Sequence, residues 1–150
     1  MPIEPHVSRP DGIGIVPAPK RWERWNFRLL AVFAPVLILA GVAGFLVPPP
    51  LALMSGATPY NAFHIVCGVL GMALVMARRV PAVAAFNLGF GVIDLYQAVA
   101  GFTGLFPAHL FALRPADHVV HVVLGLLLVV VGGAGLGLWV GPSSSPRELT

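Results

Sequence analysis

Residues 42–70 and 99–127 of this chain align without a gap, and ten aligned positions are identical. They are Val42/Val99, Ala43/Ala100, Gly44/Gly101, Phe45/Phe102, Pro50/Pro107, Leu53/Leu110, His64/His121, Val66/Val123, Gly68/Gly125 and Leu70/Leu127. Composition alone gives roughly two or three matches in such a window, so self-similarity at one fixed offset constrains the fold before any local pattern does. Each copy holds the end of one apolar run and the start of the next. The expected architecture is therefore all-α, a helix hairpin made twice.

The medium follows from composition. With 57% apolar residues, 10% charged residues and a mean hydropathy of +0.88, the chain is far from a soluble domain, in which about a quarter of residues carry charge. Four apolar runs, at about residues 29–47, 60–77, 82–102 and 118–140, approach the roughly 20 residues needed to cross the hydrocarbon core. Prolines punctuate between them: Pro48, Pro49, Pro50 and Pro59, then Pro81, then Pro107 and Pro115. An integral membrane four-helix bundle over residues 21–140 is expected. Residues 1–20, with five prolines besides Gly12 and Gly14, read as a flexible tail, and residues 141–150 as a C-terminal tail. About 28 residues precede the first apolar run, which argues against a signal peptide. Lys20, Arg21, Trp22, Arg24, Trp25, Phe27 and Arg28 mix cations with aromatic rings, the combination favoured at the headgroup level, and read as an anchor for the first span.

Arginine placement predicts the topology. The approach to the first span carries Lys20, Arg21, Arg24 and Arg28, the second connection carries Arg78 and Arg79, the first connection has no Lys or Arg, and the third has Arg114 alone. Cationic segments stay in the cytoplasm, so both termini are expected there, in a bacterial inner membrane, with Trp22, Trp25 and Trp139 at the cytoplasmic boundary. Two spans per copy give both copies one orientation, the parallel-repeat arrangement with a pseudo-two-fold axis along the membrane normal. His64 and His121 then lie at equal depth, about 6 Å below the outer ends of their helices. His64, Gly68 and Gly71 share one face, as do His121, Gly125 and Gly132, and Ala34, Gly41 and Gly44 have Gly91, Ala98 and Gly101 as counterparts. Such small-residue stripes hold helices together in lipid by close backbone approach.

Polar residues within the apolar runs are the candidate site. Asp94 is a mid-span carboxylate on a face shared with Asn87, Gly91, Ala98 and Gly101; facing the bundle, it needs a partner. His64, His121 and Gln97 lie nearest by depth, so Asp94, Gln97 and the two histidines are expected to form one polar cluster. Three readings of His64 and His121 stay open: buried structural imidazoles, axial ligands of a b-type haem, or holders of a quinone, pigment or lipid headgroup, with proton transfer through Asp94 alongside. Asp117 and His118 read as boundary residues of the fourth span, where polar groups cap a first turn. His6 and His109 have no partner at metal-ligand spacing, so no metal site is expected. Cys67, the lone cysteine, reads as a small hydrophobe. No hydrolase elbow, Cys-x-x-Cys, phosphate loop or His-Glu-x-x-His occurs, and no basic stripe with interleaved aromatics points to nucleic acid. No catalytic residue is assigned.

The run Asn61-Ala-Phe-His64-Ile-Val-Cys-Gly68, then Arg78-Arg79, Gly91, and Asp117-His118-Val-Val-His121 leading to Gly125, resembles a bacterial four-helix membrane family known as domain of unknown function 4383. The likeness covers roughly residues 28–140 and implies the same topology without adding a mechanism; His118 stands where a second asparagine-like residue is expected. The function expected from these readings is that of a non-enzymatic accessory or assembly subunit, in contact with the lipid bilayer and other membrane proteins. The alternative is a redox component binding haem, quinone or pigment. A transporter is disfavoured by the lack of an interrupted helix at the midplane.

Overall fold

A computed structural model of the chain describes residues 20–48 and 50–138. Residues 1–19 and 141–150 of the expected tails, with His6, Trp139 and the last residues of the fourth run, lie outside the described residues, and Lys20, expected in the tail, is the first residue of a helix. Within them the chain is all-helical: α1 (Lys20–Leu46), α2 (Thr58–Met76), α3 (Val80–Thr103), a single turn α4 (Ala108–Phe111) and α5 (Pro115–Gly135). All except α4 are long and apolar enough to cross a membrane.

The helix boundaries depart from the apolar runs for identifiable reasons. Helix α1 starts at Lys20, nine residues before the first run, because Lys, Arg and Glu are good helix formers and neither Gly nor Pro interrupts residues 20–34;. Pro59, Pro81 and Pro115 are not linker residues. Each occupies the first turn of α2, α3 or α5, where a missing N–H costs nothing and the fixed φ favours the helix. The fourth run was expected to reach residue 140, yet α5 ends at Gly135. The Leu138 N–H turns back to the Gly133 carbonyl at 2.9 Å and Gly137 takes a left-handed φ of 75°, a glycine-based stop.

Helix α1 packs chiefly on α2 and α3 chiefly on α5, with lighter contacts from α1 to α3 and α5. The two close interfaces repeat residue by residue. A Cβ on Gly68 would meet Ile38 and the Ala34 carbonyl; a Cβ on Gly125 would meet Leu95 and the Gly91 carbonyl. Likewise a Cβ on Gly44 would fall on Asn61, and one on Gly101 on His118. Every residue in the second set lies 57 positions after its counterpart, the offset of the sequence repeat. The expected small-residue faces thus lie at the helix contacts.

Between the hairpins lies an apolar core of Leu30, Phe33, Ala34, Leu37, Val83, Phe90 and Leu128, in which the Phe33 and Phe90 rings meet edge-on at 5.3 Å. Hydrogen bonds close the bundle at both ends. Near the start of α1, the buried Asn26 amide donates to the Trp22 carbonyl at 2.9 Å and to Val131 of α5 at 2.7 Å. Asn87 of α3 donates to the Asn26 side-chain and backbone oxygens at 2.9 and 3.1 Å. The other closure, beside the long connections, is the candidate site.

Candidate functional site at the loop end

Tyr60 stands in the first turn of α2, where Pro59 starts the helix, and is 3% exposed. Its hydroxyl donates to Asp117 Oδ1 at 2.9 Å and lies 3.1 Å from His121 Nε2. A phenol has one proton, and that proton goes to the carboxylate, so the imidazole must supply the second hydrogen bond from an Nε2–H. This fixes the His121 tautomer and leaves its Nδ1 as an acceptor, buried without a partner. His64 is settled by the same logic: its Nδ1 lies 2.9 Å from the Tyr60 carbonyl one turn back, an acceptor only, so Nδ1 carries the proton.

Asp117 is fully buried at the third position of α5, and its carboxylate gathers both long connections. Oδ2 accepts the Arg114 backbone N–H at 2.7 Å and the Ser55 N–H at 2.9 Å. The first bond is the carboxylate half of a capping box; the second ties the first connection to the fourth span. Ser55 Oγ donates to the Phe111 carbonyl, and the Arg114 guanidinium donates to the Ala52 carbonyl. Aromatic contact completes the cluster, with the Tyr60 ring 4.2 Å from His64, 5.6 Å from Phe111 and 6.0 Å from His121.

The structure therefore brings His64 and His121 together, but on Tyr60. Asn87, Gly91, Asp94 and Ala98 are buried along one face of α3 as expected. Among the described residues, no hydrogen bond joins Asp94 or Gln97 to either histidine; the acid linked to His121 through Tyr60 is Asp117. Gln97 is buried with its Oε1 unpartnered. His118 faces Gly101 and lies 4.9 Å from the Phe102 ring, with Nδ1 unpartnered.

Tyr60, Ser55 and the bridging role of Asp117 escaped the sequence reading. One signal for them existed: Tyr60 and Asp117 are themselves 57 residues apart. In a parallel duplication, equivalent positions near the axis face one another, as in any two-fold contact.

The geometry bears on the cofactor readings. A haem held by two imidazoles needs a free ring nitrogen on each, directed at one iron. Here His121 Nε2 is engaged by the Tyr60 hydroxyl, the nitrogen left free on His121 is the buried Nδ1, and the Tyr60 ring packs against both imidazoles where a porphyrin would have to lie. The residues present do not fit a haem between His64 and His121, and the arrangement favours the structural reading. Purified protein is expected to show no Soret band in a reduced-minus-oxidised spectrum; a strong band lost on His121→Leu would reverse this. Comparison of the chain with protein-family models, characterised proteins and solved structures finds no match.

Proposed function

We propose that the chain is a small integral membrane protein of the bacterial cytoplasmic membrane. It crosses the bilayer four times with both ends in the cytoplasm and works as a non-enzymatic accessory or assembly subunit packed against other membrane proteins. The observation that carries this reading is the apolar belt: Val32, Leu39, Val66, Val92, Val99 and Val119 are all at least half exposed along the long helices. Only 28 to 44% of each helix's most apolar stretch is buried inside the bundle. A monomeric soluble protein rarely exposes contiguous apolar surface on this scale, whereas lipid requires it.

Charge supports the orientation. Six Lys and Arg side chains lie between residue 20 and the first apolar run or at the 78–79 turn, against Arg114 at the loop end. The matching contacts of the two hairpins, offset by 57 residues, support descent from one duplicated hairpin with parallel copies, and the resemblance to domain of unknown function 4383 agrees with four spans. An accessory role is supported by the loop-end cluster, whose tyrosine and carboxylate, and one nitrogen of each imidazole, are occupied with one another and with backbone.

Fractionation and thiol labelling test the membrane reading in a Cys67→Ala background. The chain is expected to stay with the membrane through alkaline carbonate extraction, and a cysteine at Met54 to react with an impermeant reagent from outside while one at Arg79 is protected. Recovery in the soluble fraction, or the opposite labelling pattern, would sink it. Mild solubilisation from native membrane should recover a stoichiometric membrane-protein partner; a chain that always emerges alone would end the accessory proposal.

A further inference from the structure

Beside the loop-end cluster, between α2, α3 and α4, lies a pocket of about 250 Å³ whose walls are mainly aromatic: Phe63, Tyr96, Phe106 and Phe111, with Ile93 and Gln97. Its walls are fixed from behind. The Phe63 ring stacks on Phe90 at 5.9 Å and meets Phe111 at 5.8 Å, and the Tyr96 hydroxyl donates to the Phe106 carbonyl at 2.7 Å. Its rim is open, since Ile93, Tyr96 and Phe106 are 41, 47 and 75% exposed on the flank of the bundle.

One side chain in this pocket has no work to do inside the protein. Gln97 is 2% exposed, its Oε1 has no partner, and its amide makes no hydrogen bond among the described residues. A buried primary amide left unpaired is costly, and such a group in a native fold calls for a ligand or a water. Gln97 lies six residues before the end of α3 at Thr103, about 9 Å below the helix end. A charged headgroup drawn to that depth would leave its charge desolvated without a counter-charge. An acyl chain would leave the amide unused. A planar, uncharged ring bearing an oxygen function satisfies both the aromatic walls and the amide.

We propose that this pocket binds the ring of a membrane-soluble quinone, its tail leaving over Ile93 and Phe106 into the bilayer. The Gln97 amide serves either redox form, donating from Nε2 to a quinone carbonyl or accepting at Oε1 from a quinol hydroxyl. The neighbouring cavity, about 270 Å³ beside Ala40, Val47 and Leu51, is the poorer candidate, because its walls are mostly aliphatic and the polar side chains that line it, Ser55, Tyr60 and His64, each already make a hydrogen bond within the protein. This inference rests on the membrane reading and is separate from any ligand held by His64 and His121.

The test uses the full chain, purified from the membrane fraction into phosphatidylethanolamine–phosphatidylglycerol nanodiscs, with a photoreactive azidoquinone as probe and excess decylubiquinone as competitor. Competed labelling is expected within residues 93–111. It should fall about tenfold with Gln97→Leu, the loss of one hydrogen bond to a ligand, and several-fold with Phe106→Ala, an exposed position at which folding is not at stake. Labelling that decylubiquinone does not compete, that maps to residues 40–55, or that is unchanged in both variants would overturn the site. A chain absent from the membrane fraction would instead overturn the membrane reading, so the two failures are distinguishable.

Discussion

Asp117→Ala is expected to lower the stability of the detergent-solubilised protein by about 3 kcal/mol, a fall of roughly 10 °C in Tm for a chain of this size. The carboxylate is fully buried and accepts from the Tyr60 hydroxyl, the Ser55 N–H and the Arg114 N–H. Alanine leaves three donors on three separate segments without an acceptor, each costing about 1 kcal/mol or more when it stays buried. Part of the loss is local, the N-terminal cap of α5; part falls between the hairpins, because Tyr60 belongs to the first and Asp117 to the second. Asp117→Asn keeps the shape and one good acceptor but turns an NH2 group toward a donor, so an intermediate loss is expected. A thermal melt of Asp117→Ala that overlays the unmodified protein would show that this cluster does not hold the bundle together.

The second large effect is steric. Alanine at Gly68 would set its Cβ 2.6 Å from Ile38 Cγ1 and 2.7 Å from the Ala34 carbonyl oxygen; at Gly125 the Cβ would lie 2.9 Å from Leu95 Cγ and 3.0 Å from the Gly91 carbonyl oxygen. A side chain can rotate away, but a helix carbonyl cannot, so in both cases the helices must part. Each substitution is expected to cost about 2 kcal/mol, in the range found when extra carbons are forced into a packed interior, and valine more. Helix association in lipid depends on close backbone approach, which leaves little to offset the separation. Gly89→Ala is the control: nothing lies within 4 Å of that Cβ, and alanine favours a helix over glycine by up to about 1 kcal/mol. Comparable losses at 68 and 125 with none at 89, read by thermal or SDS titration, are the expected pattern. Harmless alanines at 68 and 125 would mean that the interfaces are looser than they appear.

Much of this fold could be read from residue order because its strongest determinants are one-dimensional. A run of apolar residues long enough to span lipid needs no partner to be recognised, and small residues recurring on one helical face, as at Ala34, Gly41 and Gly44, declare a contact face whatever packs on it. Edges were less legible. The first two turns of α1 are polar, so a hydropathy window misses them, although Asn26 within them is buried and bonds two other helices. Prolines read as breaks between spans prove to be first-turn residues, since a proline at a helix start and one in a linker look alike without knowledge of which N–H groups are needed. The polar site was legible in part. Depth along the helices placed His64 and His121 near each other, but depth says nothing about rotation around an axis, and the partner that reaches His121 is a tyrosine one turn from His64. Asp94 drew attention as a carboxylate in an apolar run. Asp117 did not, because a carboxylate at a helix start has an ordinary local use, which it also fulfils here.

The two ties that close the bundle, Tyr60 with Asp117 at one end and Asn26 with Asn87 at the other, each join a residue of the first hairpin to one of the second. The glycine contacts of Gly68 and Gly125, by contrast, lie within a hairpin. This separation sets an order of events during synthesis. The first hairpin can complete its own interface as soon as α2 has emerged, before any of α3 exists, and the second can do the same in its turn. Until the hairpins meet, however, Asn26, Tyr60, Asn87 and Asp117 lack these cross-hairpin partners. An unassembled half is thus marked by polar side chains that the finished bundle buries and pairs, a chemical difference between the two states.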